Sequence, residues 1–215
     1  MKLVSFCFLS FSLFLFACGG GGSSVSAITN DVADTATTAD AVSSSPWSSE
    51  SVVTPTTAQK TTASNNVQTL ISTLIATQDQ SSKTGKTATT TKTINKSEVG
   101  PKGGTATVTG SSKITTTLVA IYPVTTETTA TLNFDGYVGE SFSLHGETEY
   151  SGSSTVTNST SFETTFTTHG GYSYKDSNGV YSLNTQMDVS LKVVNSVYSG
   201  TYTFVVNGET ITGTF

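Results

Sequence analysis

The second half of the chain alternates between apolar and polar residues, the pattern of strands whose two faces have different surroundings. The alternation begins near residue 103 and continues to the last residue. Its strongest turn signal is Asn207-Gly208, which is typical of a two-residue β-hairpin. A turn there gives the hairpin one apolar and one hydroxylated face. The predicted pairs are Phe204–Ile211, Tyr202–Gly213 and Gly200–Phe215 on the apolar face, and Thr203–Thr212 and Thr201–Thr214 on the other.

Two more turns extend this hairpin towards the amino terminus. Turns at Asn195-Ser196 and Asn178-Gly179 place large apolar side chains opposite one another on the same face. The predicted pairs are Val193–Tyr198, Leu191–Gly200, Val189–Tyr202, Met187–Phe204, Tyr174–Leu183 and Phe166–Leu191. Because a slip of one residue would send every side chain to the other face, this agreement predicts a four-stranded antiparallel meander over residues 162–215.

Further strands are predicted upstream. A three-residue loop at 139–141 pairs Phe134 with Gly146 and Gly136 with Leu144. Residues 106–108 predict one short strand and residues 114–122 another. The total is about eight strands over residues 103–215, an all-β domain built as an up-and-down barrel or a two-sheet sandwich. Its apolar face, a core or an apolar-ligand site, comprises Phe134, Leu144, Phe166, Tyr174, Leu183, Met187, Val189, Leu191, Tyr202, Phe204, Ile211 and Phe215.

One short amphipathic helix is predicted over residues 64–80. Its apolar residues recur at helical spacing, and Ser64-Asn65-Asn66 offers an amino-terminal cap. The apolar stripe is Val67, Leu70, Ile71, Leu74 and Ile75. Because so short a helix is marginal alone, we expect it to dock on the β domain rather than to oligomerise or lie on a membrane. A Thr/Lys-rich connector, residues 81–102, follows, with a weak edge strand at 87–94.

The amino terminus has the features of a secretory signal. Lys2 precedes an apolar run over residues 3–16, which is short for crossing a bilayer. The run ends in Leu15-Phe16-Ala17-Cys18, which resembles the lipobox of bacterial lipoproteins. The resemblance implies that residues 1–17 are a signal peptide cleaved between Ala17 and Cys18. It also implies that Cys18 is acylated, and that Gly19 favours the outer membrane.

The chain between the lipobox and the predicted helix is poor in large apolar residues. Residues 18–63 are mainly Ser, Thr, Ala and Gly, with glycines at 19–22. Such a composition cannot bury enough apolar surface to offset the entropy of ordering. We therefore expect a flexible, disordered tether between the acylated cysteine and the helix.

The charge of the chain excludes one class of partner. Its ten basic residues are all Lys, and the formal net charge is −5. Nucleic-acid binding needs a basic stripe that displaces counterions from phosphates, so this class is excluded. Removal of Cys7 with the leader leaves one cysteine, Cys18, too few for a disulfide framework or a thiolate metal site. No cofactor is expected.

Candidate catalytic and metal-binding groups are few. His145 lies opposite Asp135 in the predicted register, with Glu147 and Glu149 on the same face. A transition-metal site needs three or four convergent ligands, so an exposed ion pair is the favoured interpretation. No serine lies in a Gly-x-Ser-x-Gly elbow. The chain is therefore not expected to be an enzyme.

The sequence favours a lipid-anchored envelope lipoprotein that acts as a non-catalytic binding or interaction module. Its partners would be the membrane, through the acyl chains on Cys18, and an unknown protein, glycan or apolar ligand. One alternative is a small outer-membrane β-barrel whose apolar face meets lipid. Further alternatives are a calyx for an apolar ligand and an enzyme of unrecognised type.

Overall fold

The computed structural model of the chain describes residues 41–76, 88–116 and 123–214. One long helix precedes eight strands in these ranges. The elements are α1 (Thr57–Ala76), β1 (Ala88–Val99), β2 (Thr105–Thr116), β3 (Val124–Val138), β4 (Ser143–Asn158), β5 (Ser161–Asp176), β6 (Gly179–Val194), β7 (Val197–Val206) and β8 (Glu209–Thr214).

The strands form a single antiparallel meander in which each pairs with the next along the chain. The predicted all-β meander of eight strands, preceded by a short helix, is therefore confirmed. Within the described ranges the sheet is open, since β1 and β8 each pair on one side only. Neither a closed barrel nor a second sheet is present there, because α1 covers the apolar face that either arrangement would have buried.

The two carboxy-terminal hairpins have the predicted registers. Met187 lies opposite Phe204, and Phe204 lies opposite Ile211. Both turns use asparagine in the left-handed region, with φ of 49° at Asn195 and 48° at Asn207. Tyr202 lies opposite Gly213, where an added Cβ would fall 2.3 Å from the tyrosine ring. The predicted partner of Gly200, Phe215, lies outside the described residues.

The register between β5 and β6 differs from the predicted one by two residues. Asp176 pairs with Gly179, so the turn is Ser177-Asn178 rather than Asn178-Gly179. As a result Tyr174 faces Tyr181 and Phe166 faces Val189. The predicted pairs with Leu183 and Leu191 are wrong, although a shift of two leaves each side chain on its predicted face.

A β-bulge in β3 changes the pairing near its end. Phe134 pairs with Gly146 as predicted, but Tyr137, not Gly136, lies opposite Leu144. Asp135 and Gly136, which has φ of 57°, stand opposite the single residue His145, and this one extra residue breaks the period of two. Tyr137 therefore enters the core, and the prediction of Gly136 opposite Leu144 is wrong.

The first two strands are longer than predicted. The two short strands expected around residues 106–108 and 114–122 are one strand, β2, and residues 117–122 lie outside the described ranges. The weak edge strand is β1, twelve residues long, which carries the buried Ile94. Charged side chains at Lys92 and Lys96 are typical of an edge strand that avoids pairing with other chains.

Helix α1 begins at Thr57, earlier than the predicted residue 64. The start is fixed by a capping box: Gln59 N–H donates to Thr56 Oγ1 at 3.3 Å, and Thr56 N–H donates to Gln59 Oε1 at 2.8 Å. Ser64, predicted as part of the cap, is buried inside the helix. The predicted apolar stripe is correct, since all five of its residues are buried.

The helix docks on the apolar face of the sheet, as expected. Its stripe belongs to one hydrophobic core with side chains from β1 to β7. Polar contacts fix its position: Asn66 Nδ2 donates to Tyr174 Oη at 2.8 Å, and Gln68 Nε2 donates to Thr168 Oγ1 at 3.1 Å. Lys60 Nζ pairs with Glu209 of β8 at 2.7 Å.

Residues 41–56, which we expected to belong to the flexible tether, pack on the sheet. Val53 N–H donates to Val180 O at 2.8 Å, and Val52 forms a parallel bridge with Val180. Glu50 forms an ion pair with Lys175. Val52 thus adds one isolated parallel bridge at the edge of β6. The rest of the predicted tether, residues 18–40, lies outside the described residues.

Candidate functional site

The apolar face predicted as a core or ligand site is occupied by α1. Most of its residues are fully buried beneath the helix, while Tyr202 and Ile211 are partly buried at its margin. Phe215 lies outside the described residues. The buried members are Phe134, Leu144, Phe166, Tyr174, Leu183, Met187, Val189, Leu191 and Phe204. In this structure the side chains of α1 hold the position that a ligand would take in a calyx.

A layer of stacked aromatic rings closes one end of this core. Tyr174 stacks on Phe142, with ring centroids 5.6 Å apart, and on Tyr181 at 6.0 Å. Phe134 and Tyr172 pack at 5.9 Å. Burial raises the pKa of the Tyr172 and Tyr174 phenols, so these hydroxyl groups stay protonated at neutral pH.

The structure brings together a serine, a histidine and an aspartate on the polar face. Ser44 Oγ lies 3.2 Å from His145 Nε2, and Asp135 Oδ1 lies 3.7 Å from His145 Nδ1. The β3 bulge places Asp135, and the packed segment 41–56 brings in Ser44. Ser, His and Asp are the residues of the catalytic triad in acyl-transfer enzymes. In a triad, His Nε2 must be unprotonated so that it can accept the serine proton.

The main chain determines that protonation. Gly136 N–H donates to His145 Nδ1 at 3.3 Å, so Nδ1 is an acceptor. The ring proton is therefore on Nε2, which donates to Ser44 Oγ and is unable to take its proton. Asp135 Oδ1 is beyond hydrogen-bond distance of Nδ1. This geometry provides no general base for Ser44, and His145 instead links segment 41–56 to the bulge.

The acidic residues near His145 do not complete a metal site. Within the described ranges, no group of three or more His, Cys, Asp or Glu side chains could hold a metal ion. Asp135, the predicted neighbour of His145, is 77% exposed. Because the neutral His145 accepts from Gly136 N–H at Nδ1 and lies 3.7 Å from Asp135 Oδ1, the two side chains are neighbours but do not form the favoured ion pair.

A groove crosses the polar face of the sheet, which we call the hydroxyl groove. It is an open depression of about 600 Å³ over strands β3 to β7. The residues on its polar side are Glu127, Thr129, Ser151, Ser153, Thr165, Thr167, Asp188, Ser190, Thr201 and Thr203. Phe166 and Val189 also border it, but their side chains are buried in the core.

Two carboxylates lie in the hydroxyl groove, each held by a neighbour. Glu127 Oε2 accepts from Lys113 Nζ at 3.0 Å, and Asp188 Oδ2 accepts from Gln186 Nε2 at 3.0 Å. A second depression of about 360 Å³ adjoins the groove and shares Thr129, Ser151 and Thr167 with it. The polar face therefore offers a continuous surface of hydroxyl groups with oriented acceptors.

The sequence signal for this groove is the composition of the polar strand positions. The alternation that predicts the apolar face also places Ser and Thr on the opposite face. The alternation carries no information about the depth of the groove on that face, because the depth depends on how the sheet twists.

The predicted lipidation and cleavage residues, Cys18 and Ala17, lie outside the described residues. In the described part of the chain, no helix is long and apolar enough to cross a membrane. No protein-family model matches the chain, and comparisons with curated proteins and with solved structures return no match.

Proposed function

We propose that this protein is a bacterial envelope lipoprotein, anchored by acyl chains on Cys18, whose β domain is a non-catalytic binding module. The anchor is supported by Leu15-Phe16-Ala17-Cys18, by the apolar run before it and by the glycines at 19–22 after it. Gly19 supports an outer-membrane destination.

The binding role is supported by one observation: the domain completes its apolar core with its own helix and leaves a hydroxylated face exposed. Val67, Ile71 and Leu74 of α1 are at most 1% exposed. With this face covered, the surface left for a partner is the polar face with its groove. The same observation favours this proposal over a barrel whose apolar face meets lipid, since α1 already occupies that face.

The proposed anchor keeps the domain near the membrane. Segment 41–56 packs on the sheet, so the 22 residues from 19 to 40 separate the proposed anchor from the packed part of the chain. A random coil of that length has a typical end-to-end distance of about 25 Å. The domain would therefore sample a shell close to the bilayer surface rather than reach far from it.

Mass spectrometry of the amino terminus of the membrane-extracted protein tests the anchor, together with a Cys18→Ser variant. We expect the wild-type chain to begin at Cys18 and to carry the acyl mass. We expect Cys18→Ser to lose that mass and to move to the soluble fraction, because one acyl-anchored residue holds the protein. Cys7→Ser is the matched control, since Cys7 lies in the leader, and it should leave the mature protein unchanged.

The outcomes distinguish the alternatives. Membrane retention of Cys18→Ser without acylation would contradict the lipoprotein proposal and favour a domain that itself enters the membrane. Release with a mature chain that begins elsewhere would indicate an ordinary signal peptide.

A further inference from the structure

The hydroxyl groove is built from two rows of side chains that cross the sheet in register. Each row takes one residue from every strand, and its members are opposite one another in successive strand pairs. The first row is Thr93, Ser111, Thr129, Ser151, Thr167, Asp188, Thr203 and Thr212. The second is Thr91, Lys113, Glu127, Ser153, Thr165, Ser190, Thr201 and Thr214.

The spacing of these rows is set by the sheet. Adjacent strands lie about 4.8 Å apart, and neighbouring residues on one face of a strand lie about 7 Å apart. Glu127 on β3 and Asp188 on β6 are three strands apart, so about 14 Å separates them across the sheet. The open groove thus has two oriented carboxylates on different strands, with hydroxyl groups between them.

The chemistry of the lining selects the kind of ligand. Each Ser or Thr hydroxyl both donates and accepts, and each carboxylate only accepts. Glu127 and Asp188 are the charged residues that border the groove, and Lys113 lies beside it in an ion pair with Glu127. The lining is therefore acidic, and it would repel an anionic ligand.

The groove does not suit a protein partner. Protein interfaces are usually anchored by buried aromatic side chains or arginines. The side chains that face the groove are small and polar, and the aromatic Phe166 points into the core. A ligand held here would therefore meet hydroxyl groups and threonine methyl groups rather than large side-chain anchors.

We propose that the hydroxyl groove binds a neutral, polyhydroxylated saccharide chain that lies across the strands. The proposal rests on the binding role proposed above and names its ligand class. The rings of an extended saccharide chain repeat at nearly the strand spacing, so successive rings would meet the same rows. Glu127 and Asp188 would accept hydrogen bonds from adjacent sugar hydroxyls, and Thr129, Ser151 and Thr167 would bind between them.

The test uses the purified full-length chain and two matched probes, cellotetraose and the tetramer of β-1,4-linked glucuronic acid. Saturation-transfer NMR detects contact, and titration calorimetry measures affinity. We expect cellotetraose to bind at least about tenfold more tightly than the acidic tetramer, because the acidic lining of the groove would repel the four carboxylates of that tetramer. Equal or tighter binding of the acidic tetramer would overturn the proposal.

Variants locate the site. Asp188→Asn should weaken cellotetraose binding by about tenfold, as expected for loss of hydrogen bonds to a charged acceptor. Thr167→Val should weaken it by about fivefold. Thr107→Val is the control, since Thr107 is on the same face but outside the groove, and we expect its affinity within twofold of wild type.

Circular dichroism shows whether each variant is folded. If Asp188→Asn does not fold, the affinity of Thr167→Val for cellotetraose tests the site by itself. Absence of saturation transfer from cellotetraose, or equal affinity in Thr167→Val and Thr107→Val, would overturn the proposal. Acylation of Cys18 and release of Cys18→Ser do not depend on saccharide binding. A failed saccharide test would therefore leave the anchor intact.

Discussion

Tyr172 carries a hydroxyl group into the core at a point where it makes no hydrogen bond. The residue is fully buried, and its Oη has no hydrogen-bond partner. The nearby hydroxyls of Thr148 and Thr185 donate to main-chain carbonyls instead, at 2.9 Å and 3.5 Å. Tyr174, two residues along, differs because its Oη accepts from Asn66 of α1.

The two tyrosines should respond oppositely to loss of the hydroxyl. Tyr172→Phe should leave the free energy of unfolding unchanged or raise it by about 1 kcal/mol, because it removes an unsatisfied buried group. Tyr174→Phe should lower it by about 1 kcal/mol, because Asn66 loses its acceptor. Urea unfolding at pH 7 measures both, and a larger loss in Tyr172→Phe than in Tyr174→Phe would contradict the assignment.

The raised pKa of Tyr172 predicts that the domain loses stability at alkaline pH. Burial raises the pKa of Tyr172 above the ordinary value of 10.0. The unfolded chain therefore releases this proton at lower pH than the folded chain does. The contribution of Tyr172 to the free energy of unfolding is therefore fully present below pH 10 and declines as the pH rises above 10. Tyr172→Phe should show a shallower decline in urea unfolding between pH 9 and 11.

Asn207 extends the pairing of β6 beyond the end of β7. Strand β7 ends at Val206, opposite Thr185, so the preceding residues of β6 have no partner on β7. Asn207 fills the gap: its Oδ1 accepts from Asn184 N–H at 2.7 Å, and its Nδ2 donates to Ser182 O at 2.9 Å. The turn residue thus continues the ladder with its side chain.

Replacement of this asparagine by glycine separates the two roles. Asn207→Gly keeps a residue that tolerates the positive φ but removes both side-chain bonds, so we expect a loss of about 1–2 kcal/mol in the free energy of unfolding. Asn195→Gly is the matched control at nearly the same φ, with an expected change below about 0.5 kcal/mol. Equal effects in the two variants would show that backbone conformation alone matters at Asn207.

At the scale of elements, α1 has the role that a second sheet has in a sandwich. Its stripe from Val67 to Ile75 faces the apolar side of the meander, and Gln68 is buried among these residues through its bond to Thr168. In proteins, most of the stability of a helix comes from the packing of its apolar face rather than from helix propensity. The stability of α1 therefore comes from docking, and its start comes from the Thr56–Gln59 capping box.

Loss of the cap should destabilise the whole domain, because the helix and the sheet share one core. Thr56→Ala should lower the free energy of unfolding by about 1 kcal/mol. Thr62→Ala, at an exposed position of the same helix, should change it by less than about 0.5 kcal/mol. Thermal unfolding followed by circular dichroism compares the two, and equal midpoints would exclude the capping box as the determinant of the helix start.

At the scale of the molecule, the chain approaches the sheet from one end. Segment 41–56 contacts the end that carries the β3–β4 and β5–β6 turns, through Ser44 with His145 and Val53 with Val180. The β6–β7 turn lies at the other end, where Val194 and Val197 are exposed.

Truncation should show that segment 41–56 belongs to the domain. A chain that begins at residue 54 keeps the Thr56 cap of α1 but loses the ion pair of Glu50 with Lys175 and uncovers Val180, which is 1% exposed. We expect its free energy of unfolding to fall by roughly 2 kcal/mol relative to a chain that begins at residue 41. Calorimetry of both chains measures the difference, and identical unfolding would assign the segment to the tether.

The sequence by itself determined the features that repeat or are local. The period of two placed each side chain on a face, and Asn195 and Asn207, whose small polar side chains tolerate positive φ, set the registers of two hairpins. The helical stripe followed from its own period. Even the wrong β5–β6 register kept the faces, because an even shift preserves them.

Only the tertiary structure decided the features that depend on contacts between distant residues. The bulge at Asp135-Gly136 adds a residue without a periodic signal, and it sets the tautomer of His145. The helix, segment 41–56 and the sheet meet across a hundred residues or more, as in Gln68 with Thr168 and Lys175 with Glu50. The free energy of packing between such distant residues leaves no pattern in the local sequence. The sequence therefore predicted two faces, whereas the fold decided that α1 covers one and that a groove crosses the other.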